Sequence, residues 1–149
     1  MTLSAADICV TAPRGWDVAI FQRVATGDET THAIVHAATF ALPSERGDYG
    51  DGAVQAMTAA DVFVALVEFQ PASTGTALFA ATGFPPPLTG DDFSRTALQV
   101  AMAGQAGVQR WFSANGRAWC LYVVVGSWEQ RALLAGRANH LIAGIEVGG

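Results

Sequence analysis

The chain has 149 residues, 51% of them hydrophobic and 14% charged, with a mean hydropathy of +0.30, a length that suits one domain with a core of its own. Its net charge of −5 comes from 13 acids against eight arginines and no lysine. That leaves no basic stripe to follow a phosphate backbone, which argues against nucleic acid as a partner, and no lysine for Schiff-base, P-loop or general-base chemistry.

So few charges leave little polar surface to cover a fold, which is one argument for self-association or a stable protein partner. The competing reading is an alanine-rich composition that raises hydropathy without driving burial. Cys9 and Cys120 are far apart in sequence, each inside an apolar run, and read as small buried hydrophobes; a disulfide between them would need adjacent strands. The opening MTLSAADICV has no basic n-region or apolar h-region, and no run approaches the roughly 18 apolar residues of a membrane span, so a soluble, cytoplasmic chain is expected.

In chain order, Ile8–Thr11 is a short β-prone run ended by Ala12-Pro13-Arg14-Gly15. Trp16 opens a second run, WDVAIFQRV, alternating at the period of a half-buried strand. A polar loop follows at 25–30. The run Thr31–Leu42 carries His32 and His36, whose four-residue spacing aligns them on a helix and also places them on one face of a strand. A zinc pair would need a third ligand and the intervening Glu of H-E-x-x-H, absent here, so half-exposed histidines on an outer strand are expected. The loop Pro43–Gly52 holds Asp48 and Asp51 among three glycines, without the D-x-D-x-D-G pattern of a calcium loop or the glycine spacing of a phosphate cradle. Ala53–Thr58 suits a short helix.

Asp61–Gln70, DVFVALVEFQ, is apolar on both faces, as a mid-sheet strand is. Glu68 closes the face of Val62, Val64 and Leu66, and Arg110 is the only cation in a well-patterned strand interior. A Glu68–Arg110 ion pair is one reading, and two heads reaching solvent at strand ends is the other. From Pro71 to Arg95 the chain turns irregular, with four prolines and three glycines. Pro85, Pro86 and Pro87 favour polyproline II, read either as a stiff connector packed on the domain or as a segment docking on a partner. Thr96–Ala103 alternates large and small residues as a strand does.

In Val108–Gly126, VQRWFSANGRAWCLYVVVG, Asn-Gly between two β-rich runs predicts a hairpin with a two-residue type I′ turn flanked by Ala114 and Arg117. Val108, Arg110, Phe112, Trp119, Leu121 and Val123 then share one face. Gln109, Trp111, Ser113, Cys120, Tyr122 and Val124 share the other. Ser127 with Gln130 forms a capping-box signature, and a helix is expected over 128–143, with Leu134, Ala138, Leu141, Ile142 and Ile145 inward and Arg131, Asn139 and His140 outward. The expected fold is α+β: one antiparallel sheet of about six to eight strands, the C-terminal helix on one face and a short helix elsewhere.

The opening Pro13, Gly15 and Trp16, the antiparallel meander and the closing hairpin and helix with GRAWCLYVVVGS resemble the Mog1/PsbP-like α+β group, and within it small actinobacterial domains with a similar ending. The resemblance implies an antiparallel sheet flanked by helices and a tendency toward protein-binding or assembly roles. It carries over no catalytic residue and no cofactor.

From the residues upward there is no G-x-S-x-G, and no patterned nucleophile near a histidine. Two functional readings stand. In the first, the chain is a non-catalytic interaction or assembly module, meeting a protein partner or a second copy, with Arg110, Trp111 and Trp128 as candidate anchors beside the Pro85–Pro87 loop. In the second, a pocket between sheet and helix takes a small apolar ligand, with or without the chemistry of a small isomerase that sets one aspartate in an apolar site near Tyr122 or a tryptophan. Neither reading calls for a metal or cofactor.

Overall fold

The computed structural model describes residues 1–22 and 32–149, so the loop expected at 25–30 lies outside the described residues. The strands are β1 (Thr2–Ala5), β2 (Ile8–Thr11), β3 (Asp17–Gln22), β4 (Ala33–Ala38), β5 (Val62–Phe69), β6 (Ala106–Ala114), β7 (Arg117–Val125) and β8 (Ile145–Val147), with one α-helix, α1 (Arg131–Ile142), before the last. The expected hairpin forms in the expected register: Ala114 faces Arg117, and Asn115 and Gly116 both take the positive φ of a type I′ turn. Val108, Phe112, Trp119, Leu121 and Val123 enter one core cluster, and Tyr122 and Val124 the other.

The architecture is α+β, but with two antiparallel sheets rather than one. Five strands run in the order β3-β4-β5-β7-β6, and three in the order β1-β2-β8. The two strands read as apolar on both faces, β5 and β7, lie side by side in mid-sheet, Leu66 opposite Leu121. The second sheet arises because the stripe assigned to the C-terminal helix extends beyond it. α1 stops at Ile142, and Ile145 and Val147 pair with β2 instead. Gly144 makes this crossing feasible, since a Cβ there would overlap the Thr11 carbonyl oxygen.

One face of the five-stranded sheet is covered by α1, through Leu134, Ala135, Ala138 and Leu141, and by the small sheet, through Ile8, Val10, Ile145 and Val147. We call this the helix face. The opposite face is covered by irregular chain, with Phe40, Leu42, Tyr49, Leu98, Val100 and Met102 packed half-buried over Ile34, Phe63, Ala65 and Tyr122. We call this the loop face.

Several expectations change accordingly. Thr96–Ala103 is not a strand. Its alternation is real, but Leu98, Val100 and Met102 pack down onto the loop face, and Gln99 N–H donates to the Tyr122 hydroxyl at 2.8 Å rather than to a neighbouring strand. α1 starts at Arg131 instead of 128 because Gly104 C=O accepts from Trp128 N–H at 2.8 Å and holds that residue outside the helix. Ser127 Oγ still accepts from Gln130 N–H at 3.2 Å. Asn139 is not outward: its amide exchanges two 2.8 Å hydrogen bonds with the backbone of Leu88. Of the short helix at Ala53–Thr58, one 3-10 turn forms, Val54–Ala56. Both cysteines are free, Cys120 buried and Cys9 half-buried.

Candidate functional site

The loop face holds four titratable groups with shifted pKa values, His36, Tyr49, Cys120 and Tyr122. His36 lies on β4, an inner strand between β3 and β5, and is fully buried, contrary to the expected half-exposed outer position. Its cross-strand neighbours are Ala19 and Ala65, small enough to let the imidazole settle edge-on between Phe21 and Phe63, each ring centroid 5.1 Å away. Arg46 Nε–H donates to His36 Nδ1 at 2.9 Å, so the ring proton sits on Nε2, which donates to the Asp48 carbonyl at 2.7 Å. Burial, opposed by the Asp48 hydrogen bond and reinforced by the Arg46 charge, lowers the His36 pKa to about 4. At neutral pH the imidazole is uncharged and both nitrogens are engaged.

Those bonds tie the 43–52 loop onto the sheet. Arg46 also donates to the Pro43 carbonyl, and its guanidinium lies 5.6 Å from the Phe21 ring centroid. Gly50, at φ +87°, presses against Phe63 so closely that a Cβ would come within 2.6 Å of the ring. The next ring in the loop, Tyr49, stands edge-on to Tyr122 at 5.7 Å and lies near the Cys120 thiol. Burial, helped by Cys120, raises the Tyr49 pKa well above the usual phenol range, and burial pushes the Cys120 thiol up to about 11.

Tyr49 and Asp48 form one wall of a cleft of about 360 Å³, with Ile34, Val67 and Phe69 as its apolar lining and His32, Glu68, Gln70 and Ser73 at the remaining wall. Glu68 is held by Arg117, Nε to Oε2 at 2.7 Å and Nη2 to Oε1 at 3.1 Å, and Oε1 also accepts from Ala33 N–H at 3.1 Å. Burial works to raise the Glu68 pKa, but the Arg117 and Ala33 hydrogen bonds outweigh it, and the net direction is down.

The Glu68–Arg110 pair is therefore corrected. Strand order decides it: β7 separates β5 from β6, so Arg117 on the adjacent strand reaches Glu68, whereas Arg110 on the edge strand turns outward to Asp92 at 2.9 Å. Arg117 was legible in principle. The Asn-Gly register places it two residues before Trp119, and Trp119 lies opposite Glu68. The role of the 43–52 loop had no such signal, because nothing local in Arg46 or Tyr49 tells which sheet face they cover.

The other anchor residues do not form one surface. Trp128 lies on the helix side with two guanidiniums over its ring, Arg131 at 3.8 Å and Arg95 at 4.7 Å from the centroid. Arg110 joins that side through Asp92, while Trp111, opposite Cys120, is half-exposed on the other face. Pro85, Pro86 and Pro87 line a narrow crevice of about 90 Å³ with Ile142 and Leu121, next to the Leu88–Asn139 bonds, and Pro86 and Pro87 are exposed.

Among the described residues no three His, Cys, Asp or Glu side chains are placed to hold a metal ion, and no helix is long and apolar enough to cross a membrane. A larger hollow of about 540 Å³ lies along β8 between Thr82–Phe84 and the hairpin tip, with Glu146 as the one titratable side chain in its lining. The loop-face cleft is therefore the better candidate for a small-molecule site. No protein-family model, curated protein or solved structure matches this chain.

Proposed function

We propose that this protein is a binding protein whose loop-face cleft takes a small, largely apolar ligand. The observation that carries the reading is the cleft itself: about 360 Å³, an apolar lining of Ile34, Val67 and Phe69, and polar residues on the walls around it, the size and lining of small-ligand sites. Binding is favoured over nucleophilic or general-base chemistry by the direction of the nearby shifts. Cys120 is kept a thiol, Tyr49 a phenol, and His36 has both nitrogens committed and a pKa lowered to about 4, whereas a nucleophile needs the deprotonated form and a general base a free nitrogen and a pKa near neutral.

The test is a titration with indole and cyclohexanol as probes, followed by backbone amide chemical shifts. The expected shifts fall on Ile34, Val67 and Phe69 and vanish in Ser73→Trp, which fills the cleft from its wall without entering the core. Shifts elsewhere, or none at millimolar probe, overturn the reading.

A second reading, a protein-interaction or self-assembly module of the kind the Mog1/PsbP-like resemblance implies, is supported by the half-exposed Trp128 with the guanidiniums of Arg95 and Arg131 over its ring and Arg110 on the same side. Tryptophan and arginine are the residue types that dominate interface energetics. Light scattering tests it: an oligomer that dissociates in Trp128→Ala supports this reading, and a monomer in both leaves no self-assembly.

A further inference from the structure

The hollow beside β8 is bordered by two strand edges, each with its backbone groups turned outward. In the β2–β8 pair, Thr11 N–H donates to Gly144 C=O and Gly148 N–H to Asp7 C=O. The residues that face β2 are therefore 144, 146 and 148, and the N–H and C=O groups of Ile145 and Val147 point away from it. Across the hollow, Ser113 N–H donates to Ala81 C=O and Gly83 N–H donates to Ser113 C=O, making Thr82 a parallel bridge to β6. In that pattern the N–H and C=O of Thr82 itself point away from β6. Among the described residues only the Val147 carbonyl is taken, by the Asn115 side-chain amide.

We infer that this hollow is a docking groove for an extended segment of another protein, which adds as a strand to β8 and fills the gap between the small sheet and the 81–83 edge. The backbone supplies the match: Ile145 offers a donor and an acceptor, Val147 a donor, and Thr82 a donor and an acceptor, the complement of a strand entering between them. Side chains select its chemistry. Ile145, Val147, Phe84 and Ala114 all belong to the core on the helix face, so the segment's inward residues are apolar. Glu146 is exposed on the outer face of β8 and is the charged residue of the lining, so the residue opposite it is basic, giving a cross-strand opposite-charge pair. The occupant is thus an apolar–basic–apolar extended peptide. A small ligand in the loop-face cleft and a peptide here are separate properties, and each stands without the other.

A library of random octapeptides displayed on phage, selected on the full chain, tests this. Enrichment of an apolar–basic–apolar pattern is expected, and a synthetic peptide from that pool should slow amide exchange at Ile145, Val147 and Thr82. Val147→Pro removes a donor that β2 does not use, an edge position where proline is tolerated, and should weaken the peptide about tenfold, the factor for one lost hydrogen bond. Glu146→Lys should invert the preference toward acidic peptides while the amide spectrum remains folded. No enrichment, no protection at those three amides, or equal binding by Val147→Pro each overturns the inference.

Discussion

Glu68 and Arg117 grip each other side-on across β5 and β7, and the same guanidinium reaches on through Nη1 to the backbone carbonyl of Gly148 at 3.2 Å. One arginine at a hairpin tip thus joins the middle of the large sheet to the end of the small one. Each side chain of the pair is 15% exposed, against 39% and 32% for Arg110 and Asp92. Removing one partner of a buried pair leaves a stranded charge at a cost of about 3 kcal/mol, whereas an exposed pair is worth about 1 kcal/mol or less. Urea unfolding should therefore find Arg117→Ala several-fold more damaging than Arg110→Ala. Equal losses would mean that the first pair is effectively solvated.

His36 makes stability depend on acid. An unfolded histidine takes its proton near 6.5, while the folded one refuses it down to about 4. The unfolded chain therefore binds more protons throughout that window. The His36 contribution is complete above 6.5 and is lost as the pH falls toward 4, amounting to about 3 kcal/mol. His36→Gln does not titrate, so its urea midpoint should fall less steeply between pH 7 and 4 than that of the parent. Parallel slopes would contradict this account.

Two glycines test two different causes. At Gly144 the obstacle is steric, because an added methyl meets the backbone of Thr11, and Gly144→Ala should cost about 1–3 kcal/mol by forcing β2 and α1 apart. At Gly116 there is open space but φ is +74°, so Gly116→Ala should cost about 1 kcal/mol from backbone strain alone. Thermal unfolding reads the two losses, and amide chemical shifts of the folded variants separate their causes: only the first should disturb those of β2 and β8.

Thiol alkylation should distinguish the cysteines. Cys120 is fully buried and its thiol is pushed up to about 11, so little thiolate is present at pH 8 and reagent cannot reach it. Iodoacetamide is expected to label the half-buried Cys9 first and Cys120 only after denaturation. Rapid labelling of Cys120 in the folded state would show that the 43–52 loop opens freely.

What the sequence made legible follows from period and turn chemistry. The β6–β7 register was set by one Asn-Gly pair, and β5 and β7 declared themselves central by being apolar on both faces. What stayed hidden was non-local. The alternation of Leu98, Val100 and Met102 is the same whether a segment pairs within a sheet or lies upon it. Ile145 fits a helical stripe as well as it fits a strand. Glu68 and Arg117 could be joined only once strand order was known, and the cleft depends on a loop whose glycines permit its path without announcing its destination.

The pairing of β2 with β8 also shapes the order in which the chain can fold. Ile8 meets Val147 only across a stretch that holds the whole five-stranded sheet and α1. The small sheet therefore closes only after the rest has taken its place, and Trp119 and its neighbours on the helix face stay uncovered until it does. Contacts so distant in sequence make this closure the slow step of folding, and the interval before it is when aggregation competes.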